Sequence, residues 1–170
     1  MKRLISVLST FAALLTVFSC KTLEPTNLSS DTLPVKITVT GHARYQSYNK
    51  SGNLQDPEVV DKGTEVRIYY GIPDDGGKTE FALRTVTTDA DGFFSAEIGC
   101  PAGKAMTIKA NCSFTAGSYA HNEDGKFVST ETCFFSEVEK TNVSGGDARY
   151  FQLDMLPSAY IGDEGLKQPK

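Results

Sequence analysis

Two histidines, His42 and His121, and three aspartates beside turn residues, Asp89, Asp91 and Asp124, are the side chains whose types suit acid–base or metal chemistry. Neither histidine has a cysteine or carboxylate at the spacing zinc ligation requires, so each reads as a surface residue. Asp89-Ala90-Asp91-Gly92 starts as a calcium loop would, with paired carboxylates ahead of a glycine. A calcium loop needs further oxygens and a bidentate glutamate at its twelfth position. Here Asp89 leads straight into Phe93-Phe94, so a tight hairpin turn is the better reading. The chain has no G-x-S-x-G elbow, no phosphate loop and no G-x-G-x-x-G between a strand and a helix. The expectation is a protein that is not an enzyme and requires neither metal nor cofactor.

Thiol chemistry is better signalled. Residues 1–20 read MKRLISVLSTFAALLTVFSC: Lys2 and Arg3, an apolar run from Leu4 to Phe18, then Ser19 and Cys20. This is the layout of an export signal. A spanning helix needs about 20 apolar residues, and this shorter run is interrupted by Ser6, Ser9, Thr10 and Thr16. The tetrad Val17-Phe18-Ser19-Cys20 resembles the lipobox of bacterial lipoproteins. The resemblance implies transfer of a diacylglyceryl group to the Cys20 thiol, cleavage before Cys20 and acylation of the freed amine. The alternative is an ordinary signal peptide whose Cys20 ends in a disulfide. Each buried methylene contributes about 0.8 kcal/mol, so two or three chains anchor stably where one binds reversibly. Loss of residues 1–19 removes Lys2 and Arg3, which takes the formal net charge from −4 to −6.

An acidic chain without a Lys/Arg cluster lacks the electrostatic footprint for nucleic acid. The lipid is then the expected membrane contact, and the expected location is the outer membrane, facing the periplasm or the cell surface. Residues 20–33 hold the lipidated cysteine and a polar tether, KTLEPTNLSSDTL, with no apolar periodicity. Surface-displayed lipoproteins of Bacteroidetes often carry an acidic cluster after the cysteine; here there is Glu24 alone. Asp31-Thr32-Leu33 resembles the O-glycosylation acceptor of that group, which would place a sugar on Thr32; a turn before Pro34 is the alternative.

Lipidation of Cys20 leaves Cys100, Cys112 and Cys133. In an oxidising compartment three thiols form at most one internal bridge. Cys112 with Cys133 is the preferred pair, since both fall in expected strands joined by one excursion. Three reduced thiols buried as small hydrophobes is the equal alternative.

The elements that would position these groups are strands. Val35, Ile37 and Val39 alternate with Lys36, Thr38 and Thr40, and the pattern runs on through Gly41, Ala43 and Tyr45. Val66, Ile68 and Tyr70 mark a second strand, residues 81–88 a third, and Phe94, Ala96 and Ile98 a fourth that Gly99-Cys100-Pro101 stops. Met106 to Phe114 form a fifth and Phe127 to Ser136 a sixth, joined by the turn Asn122-Glu123-Asp124-Gly125. Arg149 to Leu156 is the last, with Phe151, Leu153 and Met155 inward and Tyr150, Gln152 and Asp154 toward water. Ile37, Ile68, Ile108, Phe151 and Leu153 are the expected core. The resulting expectation is an all-β fold: a seven-stranded antiparallel β-sandwich over residues 34–157, followed by a tail, 158–170.

Thr87-Thr88-Asp89-Ala90-Asp91-Gly92-Phe93-Phe94, then Pro101-Ala102-Gly103 and the strand Met106 to Ala110, is similar to the carboxypeptidase-regulatory-like and transthyretin-like (prealbumin-like) sandwiches. Lys62 to Ile68 fits the strand before that hairpin. The long segment between Tyr45 and Gly63 departs from the pattern. The resemblance implies a small binding or spacer module and transfers no active-site residue. The function expected is a non-catalytic binding or adhesion module for a protein or glycan, with Tyr45, Tyr48, Asn49 and Tyr119 as contact residues, because binding residues favour loops and exposed tyrosine combines area with a hydroxyl. A structural pilus subunit resembling fimbrillin-type lipoproteins is the alternative.

Overall fold

A computed structural model of the chain describes residues 33–49, 53–123, 126–162 and 165–167. Residues 1–32, with Cys20 and Thr32, lie outside this range, as does Asp124. The described residues contain no helix. They form nine strands: β1 (Val35–Tyr45), β2 (Glu58–Val59), β3 (Glu65–Gly71), β4 (Ala82–Thr87), β5 (Phe93–Cys100), β6 (Ala105–Glu123), β7 (Lys126–Ser144), β8 (Ala148–Gly162) and β9 (Gly165–Lys167). The protein is all-β, as its period-two patterning requires.

All nine strands join one mixed sheet in the order β2-β1-β8-β7-β6-β3-β4, with β5 also on β1 and β9 also on β8. Two features correct the seven-stranded antiparallel expectation. The strand count is higher, because β2 and β9 are too short to show periodicity. And β1 and β8 run parallel, Thr38 beside Ala148 through Tyr45 beside Met155. Parallel pairing needs a long connection between its strands, and here everything from β2 to β7 provides it.

The crossing of β8 shapes the molecule. Its first part, through Met155, follows β1, whereas Leu156 to Ile161 pair with β7. The sheet thereby folds over on itself, and inward side chains from β1, β5 and β8 meet those from β3, β6 and β7 in one core. Ile37, Ile68, Ile108, Phe151 and Leu153 are fully buried there, in the phase the alternation assigns them. Ser158 to Gly162, expected as tail, continue β8.

Gly41 sits at the centre of this packing. It pairs with Phe94 on β5 and with Phe151 on β8, and both phenyl rings are buried. A Cβ at Gly41 would collide with the Phe151 carbonyl oxygen and the Phe94 ring. Glycine is therefore the residue that lets the two aromatics close over β1.

The β4–β5 connection is the tight turn the sequence suggests. Asp89 Oδ1 accepts the backbone N–H of Asp91 and of Phe93, each at 2.9 Å, and Gly92 takes φ +71°. The carboxylate oxygen is thus engaged by the turn's own amides. β6 and β7 extend further than expected. Their ladder shifts register between Met106 and Ile108, opposite Asn142, which adopts a left-handed φ of 55°. Such a bulge breaks the alternation that would have shown β7 continuing to Ser144.

Candidate binding face on the first and last long strands

β1 is paired on both edges, so its outward residues form the middle row of a three-strand surface. Antiparallel pairing sets Phe93 of β5 beside His42, and the parallel ladder sets Gln152 beside His42 and Asp154 beside Arg44. Because side chains two residues apart share a face, Tyr150, Gln152 and Asp154 of β8 all project outward while Phe151, Leu153 and Met155 are buried.

These outward groups are joined. His42 Nδ1 lies 3.0 Å from the Tyr150 hydroxyl, Tyr150 Oη lies 2.7 Å from Gln152 Oε1, and Gln152 Nε2 lies 2.7 Å from Asp154 Oδ1. An ionised carboxylate only accepts, so Gln152 must turn its NH2 toward Asp154 and its oxygen toward Tyr150. Tyr150 then donates to that oxygen and accepts from His42, which puts a proton on Nδ1 and, in the neutral ring, leaves Nε2 as an acceptor. The direction of the whole chain follows from the charge at one end.

Rings flank the chain. His42 meets Phe93 edge to face, with centroids 5.3 Å apart at 62°, and lies 5.9 Å from the Tyr150 ring. Such pairs stabilise by about 0.5–1.5 kcal/mol beyond their area. Tyr150 remains 49% exposed. Arg44 is exposed beside Asp154, and its guanidinium has no hydrogen bond or ion pair among the described residues.

The residues singled out from sequence are distributed elsewhere. Tyr45 packs 5.0 Å from both the Phe114 and Phe134 rings, and its hydroxyl donates to Glu58 Oε2 at 2.6 Å. Burial, reinforced by the Glu58 carboxylate, pushes its pKa up to about 12. It joins β1 to β2 and to the core. Tyr48 is 45% exposed and bridges to Leu54 across a small loop. Asn49 Oδ1 accepts the Asn53 N–H at 2.9 Å. Tyr119 lies on β6 opposite Thr130.

The expected Cys112–Cys133 bridge is corrected: Cys100, Cys112 and Cys133 are all free. Cys112 opposes Ser136, while Cys133 opposes Thr115. A three-residue offset along a strand is about 10 Å, beyond the Cα separation of about 4.4–6.8 Å that a disulfide spans. Cys112 also faces the core, whereas the Cys133 sulfur lies 3.6 Å from Thr115 Oγ1 on the outer side.

The His42–Tyr150 pairing was not visible in sequence. The outward phase of Tyr150, Gln152 and Asp154 was, but the strand that adjoins them is a matter of topology.

No family model matches the chain, and no curated protein matches it. Among solved structures, the crystal structure of the major plantain pollen allergen Pla l 1 is similar, at 18% identity and a TM-score of 0.38, covering 72% of this chain and 94% of that one.

Proposed function

We propose that the protein is a cell-envelope lipoprotein, anchored through acyl chains on Cys20, whose prealbumin-like sandwich is a non-catalytic module that binds an envelope protein or glycan. The anchor rests on the Val17-Phe18-Ser19-Cys20 tetrad behind a short apolar leader. The sandwich reading is supported by β8, which leaves the β1 ladder for the β7 ladder and so draws two layers over one core. One observation carries the binding role: the exposed outer face of β1, β5 and β8 holds a directed chain of His42, Tyr150, Gln152 and Asp154 beside a free Arg44. Polar side chains fixed in one arrangement lose little entropy when they meet a ligand, which favours recognition. The same groups lie on an open sheet surface that does not exclude water, so they suit recognition better than hydrolysis.

The test has two arms. Cys20→Ala should abolish incorporation of labelled fatty acid and leave the precursor uncleaved; unchanged labelling would refute the anchor. Separately, the purified protein in detergent micelles is immobilised and exposed to protein and polysaccharide fractions of an envelope extract. Retention should be lost with Tyr150→Ala and kept with Tyr48→Ala, and the reverse pattern would move the site to the loop.

A further inference from the structure

We infer that the outer face of β1, β5 and β8 takes an extended, uncharged oligosaccharide lying along β8, with a pyranose ring stacked on Tyr150. The inference rests on the binding-module reading and names its ligand.

The first reason is a ring followed along one strand by planar polar groups. Tyr150, Gln152 and Asp154 stand two residues apart on one strand face, a step of about 6.8 Å, so the row is about 14 Å long. A pyranose presents C–H bonds on its face and hydroxyls at its rim. The exposed Tyr150 ring offers an apolar surface to the former, and the amide, carboxylate and guanidinium that follow offer hydrogen bonds to the latter.

The second reason is what the chain leaves unused. Among the described residues, Asp154 keeps its Oδ2, Gln152 keeps one N–H, the neutral His42 ring keeps Nε2 as an acceptor, and Arg44 keeps its guanidinium donors. Donors and acceptors thus stand mixed on two adjacent strands. A hydroxyl, which both donates and accepts, satisfies such a mixture; a phosphate or carboxylate, which only accepts, would meet Asp154 unfavourably.

Charge gives the third. Arg44 and Asp154 sit at the same register on adjacent strands, so an anion drawn toward Arg44 would also meet a carboxylate. Polyanions are held by clustered cations, whereas Arg44 here has a carboxylate as its cross-strand neighbour. A protein partner needs about 800 Å² a side with an apolar centre. This strip has the rings of Tyr150, His42 and Phe93 and is bordered by Thr38, Thr40, Ser95 and Glu97, which suits a narrow polar chain.

The experiment is native affinity electrophoresis of the mature protein in detergent micelles, through gels containing glucomannan, xyloglucan, mixed-linkage β-glucan, yeast α-mannan or dextran, with alginate and heparin as charged counterparts. Slowed migration is expected with at least one neutral polymer, with affinity weakened about tenfold by Tyr150→Ala and retained in Tyr48→Ala. Tyr150→Phe keeps the ring and should retain most of the binding, while Gln152→Ala should weaken it. Unchanged thermal midpoints would show that these exposed substitutions leave the fold intact. Retardation by a neutral polymer that Tyr150→Ala does not change would overturn the site. Retardation by alginate or heparin alone would overturn the ligand class, as would no retardation at all. Should the polymers fail while an envelope protein is still retained in a Tyr150-dependent way, the saccharide falls and the binding module stands; failure of both removes both.

Discussion

His42 and Tyr150 are 108 residues apart in the chain and meet at 3.0 Å, Nδ1 to hydroxyl, across the parallel ladder of β1 and β8. Their contact turns the outward faces of two strands into one surface, and its polarity is dictated through Gln152 by the Asp154 carboxylate.

That polarity is measurable. Neutral imidazole in water prefers its proton on Nε2, whereas the chain demands it on Nδ1. Nitrogen-15 spectra of the neutral ring should show His42 protonated at Nδ1, and Asp154→Asn, which lets the amide of Gln152 turn either way, should return a mixture. An Nε2–H tautomer in the unaltered protein would reverse the chain.

Tyr45 offers a pH test. Its pKa is pushed up to about 12 because burial, and then the Glu58 carboxylate, disfavour the phenolate. The folded value exceeds the unfolded one, so the associated stability is fully present below about pH 10 and is lost as pH rises toward 12. Absorbance titration should show one tyrosine ionising near pH 12, and Tyr45→Phe should remove that transition. The substitution should cost about 0.5–1.5 kcal/mol below pH 10 through loss of the bond to Glu58. Between pH 10 and 12 the unaltered protein should lose stability faster than Tyr45→Phe does; parallel curves would contradict the assignment.

The thiols should differ in reactivity. Burial, with Glu65 nearby, pushes the Cys112 thiol up to about 11, and burial also raises that of Cys100. Since the thiolate is the nucleophile, both should resist alkylation in the native protein at pH 8, while the partly exposed Cys133 reacts first. Peptide mapping of a Cys20→Ala protein after a brief iodoacetamide pulse reads this directly. Equal labelling of all three, or a Cys112–Cys133 cross-link found without reductant, would be the contrary result.

Gly41→Ala should destabilise more than its single methyl suggests. Inserting a group into a filled core costs about 1–3 kcal/mol, and here the obstacles are a backbone carbonyl and a buried ring. Ile108→Ala should cost about 2–5 kcal/mol by leaving a cavity. Leu83→Ala, at an exposed position of β4, should stay within about 0.5 kcal/mol. Urea midpoints compare the three, and a neutral Gly41→Ala would mean that Phe94 can retreat.

Local pattern was legible and neighbourhood was not. Alternation in residues 35–45 and 149–156 assigned Ile37, Phe151 and Leu153 to the core and Tyr150, Gln152 and Asp154 to water, because period two is written into each strand separately. Which strands adjoin depends on the fold as a whole. Parallel pairing of β1 with β8, and with it the contact of His42 with Tyr150, has no local signature. The Cys112–Cys133 expectation failed for a related reason: lying on neighbouring strands does not settle register, and register separates them. Tyr45 was chosen as an exposed tyrosine, but its place at the end of β1 lets the ring fold under onto Phe114 and Phe134. The continuation of β7 to Ser144 was hidden by the left-handed Asn142.

The parallel run of β1 beside β8 also determines how the domain bears mechanical load. Tension between the start of β1 and the end of β8 would act along both strands in opposite directions, loading the hydrogen bonds from Thr38 to Tyr45 in shear and together. Tension between Ala105 and Ser144, which face each other at the open end of the β6–β7 hairpin, would part that ladder one pair at a time. Single-molecule pulling should therefore meet greater resistance along the first axis than the second. A domain tethered at its N-terminal end and gripped on the face of β8 would be loaded along its stronger direction.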